Sequence, residues 1–388
     1  MTALIMYARR RGHLAALALV AVFALTPIVS VRGASGTWTR TGSMSSARYQ
    51  WDNTQGRAAE RLQDGRVLMV ANDVDDLLGV IGTSEVFNPA TGTWAATGSL
   101  NTPRSVVTTF LSSGKVLVEG GVDSFGNIFA SAELYDPATG RWSTTGSLIT
   151  ARDGHSATLL SDGRVLVAGG TGSSGVLSSA EMYNPATGAW SAAGNMLTAR
   201  AYASALRLQD GRVLVVGGDG GDPTQPPLTS AEIFDPAIGR WSATGSTVTL
   251  QSFPTTTVLG SGKVLLVGGL DLLGNTLATA ELFDPTTGVW SVTGRMATAR
   301  VLHSAALLGN GKVLVAGGEN STGQSRTVFA SAELFDPATG LFSTTGSMQT
   351  TRAEFQMIPL ANGQVLVAGG DTGSSQVTPT TAAELYTP

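Results

Sequence analysis

Downstream of residue 58 the chain alternates short apolar runs with turns rich in Gly, Asp and Pro, and two phrases keep returning. The first reads Gly163-Arg164-Val165-Leu166-Val167-Ala168-Gly169-Gly170. Its turn glycine recurs at 65, 114, 163, 211, 262, 311 and 363, a period of 48 to 52 residues that marks a repeat architecture. Asp-Gly, Asn-Gly or Ser-Gly between apolar runs predicts a hairpin, because Gly accepts a positive φ without a Cβ clash. Four consecutive apolar residues after the turn predict a strand covered on both faces. The Gly-Gly that closes six copies, at 120–121, 169–170, 217–218, 268–269, 317–318 and 369–370, lets backbones approach closely. The first copy has Ala71-Asn72 there.

The second phrase is Glu, an apolar residue, an aromatic, Asp or Asn, then Pro-x-x-Gly, with Glu at 85, 133, 181, 232, 281, 333 and (in a copy where Thr387 replaces the Asp) 384. Pro presets φ at the second turn position, the Asx side chain caps the turn, and Gly takes the left-handed position. Next comes Trp94, Trp142, Trp190, Trp241 or Trp290, and Phe342 in the sixth copy. Each repeat therefore predicts four strands, a to d, with a large aromatic opening strand d. Such a ring exceeds what one four-stranded sheet buries, which places it between neighbouring sheets.

The ends set the topology. The last copy stops at Glu384-Leu385-Tyr386-Thr387-Pro388, before a strand d, while Gly36-Thr37-Trp38-Thr39 is a strand d without its repeat. The expected fold is all-β: a seven-bladed propeller of four-stranded antiparallel blades, the N-terminal strand completing the C-terminal blade. Closure of this kind leaves no open first or last sheet. The boundaries read as 34–44 for the closing strand and 45–98, 99–146, 147–194, 195–245, 246–294, 295–346 and 347–388 for blades one to seven.

By length alone 388 residues would suggest two or three domains, but the repeat overrides that prior. Charged residues make up 13% and hydrophobic ones 42%, a balance that suits many short strands and not disorder. Zero Cys excludes disulfides, thiolate metal sites and a bacterial lipoprotein anchor. Residues 1–33 read as a secretory leader: Arg9, Arg10 and Arg11, an apolar run from Leu14 to Val29, then small residues near Gly33. An uncleaved anchor is the alternative. Export to the periplasm or medium is expected, with no stable membrane insertion once the leader is removed. Removal takes away Arg9, Arg10, Arg11 and Arg32 and no acid, moving the formal charge from -4 to -8 and arguing against a nucleic-acid partner.

The Gly-Gly after strand b, the aromatic-Asp-Pro turn, the strand-d Trp and an Arg before strand a resemble the kelch-repeat β-propellers over essentially all of residues 35–388. The exported bacterial kelch-like group is the nearest flavour, and its propeller is similar to the central domain of galactose oxidase. That resemblance implies partner binding through the loops that follow strand d. It also raises copper-radical chemistry, but that cofactor uses a Cys-linked Tyr, so zero Cys excludes it; no cofactor and no metal are expected.

In a four-stranded meander the a–b and c–d turns share one end and the b–c and d–a loops the other. From the strand-d aromatic to the next a–b glycine six copies span 20 or 21 residues, and the first spans 27, from Trp38 to Gly65. From that glycine to the next aromatic the span varies from 27 to 31, so the variation falls in the b–c loop. Irregular loops on a rigid frame are where recognition resides. The long first d–a loop holds Tyr49 and Trp51, the latter outside the repeating Trp position; it is either a ligand anchor or a lid on its own blade.

Arg48, Arg104, Arg152, Arg200, Arg300 and Arg352 precede strand a, with Gln251 breaking the series. Arg–Glu pairing with strand c is expected, with ligand binding the alternative. Residues just after them, Ser105, Asp153, His155, Tyr202, Phe253, His303 and Glu354, are expected to line any pocket at the mouth of the central channel. The candidate ligand-binding set is thus Tyr49, Trp51, Arg104, Arg152, Asp153, Arg200, Tyr202, Phe253, Arg300 and Arg352. His155, His303 and Glu354 are the candidates for acid–base chemistry. Asp73, Asp75 and Asp76, and Asp219 and Asp222, offer oxygen ligands for Ca²⁺, with loop solvation the simpler reading. Three functions stand open: an exported non-catalytic module binding a protein or glycan on the b–c/d–a face, a sugar-modifying enzyme of mutarotase or lyase type, and a structural module of an envelope or extracellular assembly.

Overall fold

A computed structural model of the chain describes residues 36–49, 58–70, 73–75, 79–222, 226–322, 325–373 and 376–388. These form seven four-stranded antiparallel sheets, each pairing its strands in the order a-b-c-d. The innermost strands a are Ala59–Arg61, Val107–Phe110, Ser156–Leu159, Ser204–Arg207, Thr255–Val258, Ser304–Leu307 and Gln356–Pro359. Each touches the next, and the first touches the last, so the ring is closed around a channel. The described residues contain no helix long and apolar enough to cross a membrane.

Strands b, such as Val165–Ala168 and Val313–Ala316, are buried at every position, as their uniformly apolar sequence requires. The core lies between blades: Leu214, Val216 and Ile233 of blade four pack with Val264, Leu266, Phe283 and Trp290 of blade five. Each buried Val or Leu contributes about 1.5–3 kcal/mol, and the pattern repeats at every blade junction.

The seventh sheet takes its outer strand from the N-terminus, as the chain ends predict. Thr37–Arg40 pairs antiparallel with Ala383–Thr387, in the register Trp38↔Tyr386 and Arg40↔Glu384. The Trp38 ring lies 5.0 Å from that of Tyr386, and its Nε1 donates to the Gly346 carbonyl of blade six at 2.7 Å. Trp142 and Trp190 likewise donate to Gly98 and Gly146 of their preceding blades, at 3.0 and 2.8 Å. The strand-d aromatics therefore sit between sheets.

The first glycine of the pair after strand b admits a side chain from the next blade. Gly120 has φ +62°, and a Cβ there would stand 2.8 Å from Cε1 of His155. Gly268 holds His303 in the same way. Three b–c loops extend as two-stranded ribbons: Asp73–Asp75 with Gly79–Ile81, Thr171–Gly172 with Gly175–Val176, and Glu319–Thr322 with Ser325–Val328.

Candidate functional site

The arginines before strand a are anchors of the scaffold. Arg48, Arg104, Arg152, Arg200, Arg300 and Arg352 are all buried, with a guanidinium nitrogen 2.7–3.3 Å from Glu85, Glu133, Glu181, Glu232, Glu333 and Glu384 respectively. The same carboxylates accept backbone N–H groups of the d–a loop: Glu181 takes those of Ile149 and Thr150, at 2.6 and 3.0 Å. Arg152 also donates to the carbonyls of Gly169 and Ser179. One clasp thus ties the d–a loop, the glycine pair and strand c together. This satisfies the expected Arg–Glu pairing and leaves the five candidate arginines below the surface, their charges committed within the protein.

Inward of the clasps the channel opens. In blades three to seven the residue two past the arginine position is left-handed: Gly154 at +61°, Tyr202 at +55°, Phe253 at +56°, Leu302 at +58° and Glu354 at +56°. Four are not glycine, and each such residue costs about 1–2 kcal/mol. Blade-to-blade backbone bonds hold the conformation: Tyr202 N–H donates to Gly154 O at 2.7 Å and Glu354 N–H to Leu302 O at 3.0 Å. Below lies a cavity of 420 Å³. His155, Phe253, Leu302, His303 and Glu354 line its mouth, and hydroxyl-bearing strand-a residues such as Thr158 and Thr256 line it deeper. Four expected pocket residues thus converge. Ser105, Asp153 and Tyr202 do not line the cavity: Ser105 Oγ donates to Asp153 at 3.3 Å, and the Tyr202 ring covers Gly154.

The electrostatics of the mouth differ from blade to blade. His303 is buried, with Nε2 2.9 Å from Thr255 Oγ1. Burial, aided by the nearby Arg300 charge, depresses its pKa to about 3. Glu354 is half-buried; burial first, then Glu319 and Asp371, push its pKa well up against the pull of Arg326. Arg326, on the blade-six ribbon, lies 2.5 Å from both Glu319 and Asp371 and donates to Gly373 O of blade seven at 2.7 Å. His155 Nε2 lies 3.7 Å from Glu119 Oε1. Glu119 is fully buried at the end of a strand b where other copies have Ala or Val, the one signal by which sequence reasoning would have found it.

A pH dependence follows for His303. Its folded pKa lies below the unfolded 6.5, so the unfolded chain binds the proton first. Its contribution is fully present above pH 6.5 and is lost as pH falls toward about 3. Glu354, with its folded value raised, acts oppositely and loses stability as pH rises above 4.5. His303→Gln is expected to shrink the fall in melting temperature between pH 6.5 and 3; a parallel fall in wild type and variant would refute the assignment.

The outer part of this face carries an apolar arc. Ile149, Leu197 and Val248 occupy equivalent d–a positions on blades three, four and five, each more than half exposed. Blades one, two, six and seven place Ser45, Asn101, Ala297 and Gln349 there. Phe125 and Leu273 stand at the tips of the b–c loops of blades two and five, 90% and 86% exposed. Both tips are pre-shaped: the Asp123 carboxylate accepts the N–H groups of Phe125 and Asn127 at 2.8 and 2.9 Å, and Asp271 holds Leu273 and Asn275 in the same way. The shared Asp-x-apolar-Gly-Asn phrase was the available sequence signal.

Of the other candidates, Tyr49 is buried and Trp51 lies outside the described residues, as does Asp76. Asp219 accepts the Gly221 N–H at 2.8 Å, and no group of three or more His, Asp or Glu among the described residues is arranged to hold a metal.

The Kelch motif model matches residues 154–197 and 200–246, which fall in blades three and four. No curated protein matches the chain. Among solved structures, a fungal alcohol oxidase of the AA5 family in complex with copper superposes with a TM-score of 0.70 and 17% identity, over 91% of this chain and 76% of that one. YjhT superposes at 0.54 and 18% identity, over 69% of this chain and 90% of that one. At such identities the likeness is one of fold.

Proposed function

We propose that this chain, a kelch-repeat β-propeller, is an exported, non-catalytic module that binds a protein on the face formed by its b–c and d–a loops. The observation that carries this reading is the apolar arc of Ile149, Leu197 and Val248 with the turn-held tips Phe125 and Leu273. Large aliphatic and aromatic groups held in water by rigid turns gain free energy when a partner covers them. The leader-like residues 1–33 support the exported part of the reading. The sugar-modifying alternative draws on His155 beside Glu119, but their 3.7 Å separation exceeds a hydrogen bond and His303 is engaged with Thr255.

All three lysines, Lys115, Lys263 and Lys312, lie at a–b turns on the opposite face, so amine coupling leaves the proposed face free. Protein immobilised in this way is expected to retain a specific ligand from medium conditioned by its source cells. A variant with Ile149, Leu197, Val248 and Phe125 all changed to Ser is expected to lose that ligand while keeping its melting temperature. Equal retention by wild type and variant would overturn the reading.

A further inference from the structure

Three side chains at the channel mouth are used neither by the clasps nor by the outer arc. Glu354 lines the cavity, and its carboxylate makes no hydrogen bond or ion pair with any described residue. Its acidic neighbours Glu319 and Asp371 share Arg326, the one guanidinium among the described residues that is paired with them. His155, 2% exposed and lining the same cavity, has both ring nitrogens without a hydrogen bond. Phe253 adds an aromatic ring to the same mouth. It packs with Leu270 against a buried cluster of Val301, Leu302, Val328 and Ala353, which forms an apolar wall next to Glu354.

We propose that the channel mouth is a binding site for an organic cation, an alkylammonium or guanidinium group, with Glu354 as its counter-ion. The apolar wall suits the aliphatic stem of such a cation, and an aromatic face attracts the charged head. His155 supplies a nitrogen acceptor to a donor that has reached the cavity. A metal ion is the poorer fit, because the described residues contain no group of three or more acidic or imidazole ligands placed to hold one. The left-handed backbone at Phe253, Leu302 and Glu354 sets where all three side chains stand, a conformation with a cost that spans three adjacent blades.

Among the described residues, the charged groups acting on Glu354 are Glu319 and Asp371, which favour its protonated form, and Arg326, which opposes them; His303 lines the same cavity. Pairing with a cation favours the ionised carboxylate, so binding draws the raised Glu354 pKa back down and releases protons between its free and bound values. The site does not rest on the partner-binding reading. The shared chemistry has two sources, a free amine or the Lys or Arg side chain of a bound protein.

Calorimetric titration tests it with n-hexylamine, with n-hexanol as the uncharged control, and with a short peptide containing one lysine, each in two buffers of different ionisation heat. Saturable binding of hexylamine is expected, with proton release and without matching binding of hexanol. Glu354→Gln is expected to weaken hexylamine by about tenfold or more and to abolish the proton release, with no loss of melting temperature. Equal binding of hexylamine and hexanol, or wild-type affinity in the variant, would overturn the proposal. Peptide binding at least as tight as hexylamine assigns the cation to a partner protein; weaker peptide binding assigns it to a free amine. The four-fold serine variant keeps Glu354, so failure of the outer arc and failure of this site are read separately.

Discussion

Deleting residues 36–43 is expected to lower the melting temperature by roughly 5–10 °C and to make the protein associate with itself. The segment supplies the outer strand of blade seven, and Trp38 fills the junction with blade six. Loss of a buried Trp costs about 3–5 kcal/mol, and the lost ladder adds about 1 kcal/mol for each hydrogen bond. For a chain of this size each kcal/mol moves the midpoint by about 1–2 °C, following the entropy per residue. The deletion also uncovers Ala383–Thr387 as an edge, and an unpaired edge recruits strands from other molecules. Trp38→Ala keeps the ladder and isolates the packing share, about 3–5 kcal/mol. Calorimetry and sedimentation read both effects. An unchanged melt in the deletion would mean that the ring does not depend on its first strand.

The second large effect belongs to the clasps. Glu181→Ala is expected to destabilise by about 3–5 kcal/mol, because it leaves the Arg152 charge buried without a partner. It also frees the N–H groups of Ile149 and Thr150. Arg152→Gln should cost less. Blade five carries that replacement naturally as Gln251, and Glu281 there still accepts the N–H groups of Val248 and Thr249. Chemical denaturation midpoints give the comparison. A loss below about 1 kcal/mol for Glu181→Ala, the range of exposed pairs, would show that burial adds nothing to this one.

The candidate site was legible where it follows the repeat and obscure where it does not. Arg–Glu pairing could be expected because both residues return once per copy, at fixed places relative to strands a and c. His155 and His303 also share a repeat position, yet one stands beside a Glu on strand b and the other is bonded to a strand-a Thr. Nothing in the local sequence around either His distinguishes those outcomes. Arg326 joins Asp371 from a different blade, 45 residues away and outside the period. The exposed arc was missed because Ile149 and Leu197 follow the buried Leu148 and Met196, and only a solved loop path shows the side chains parting.

The sequence by itself determined the number of sheets, the strand order within each and the pairing of the two chain ends. Those follow from local turn chemistry and from burial repeated in every copy. Tertiary structure alone decided which members of equivalent positions meet across the channel, which charges are neutralised there and which apolar groups stay in water. Those outcomes depend on neighbours brought together by ring closure, and the differences between copies, not their common pattern, set the chemistry of the face.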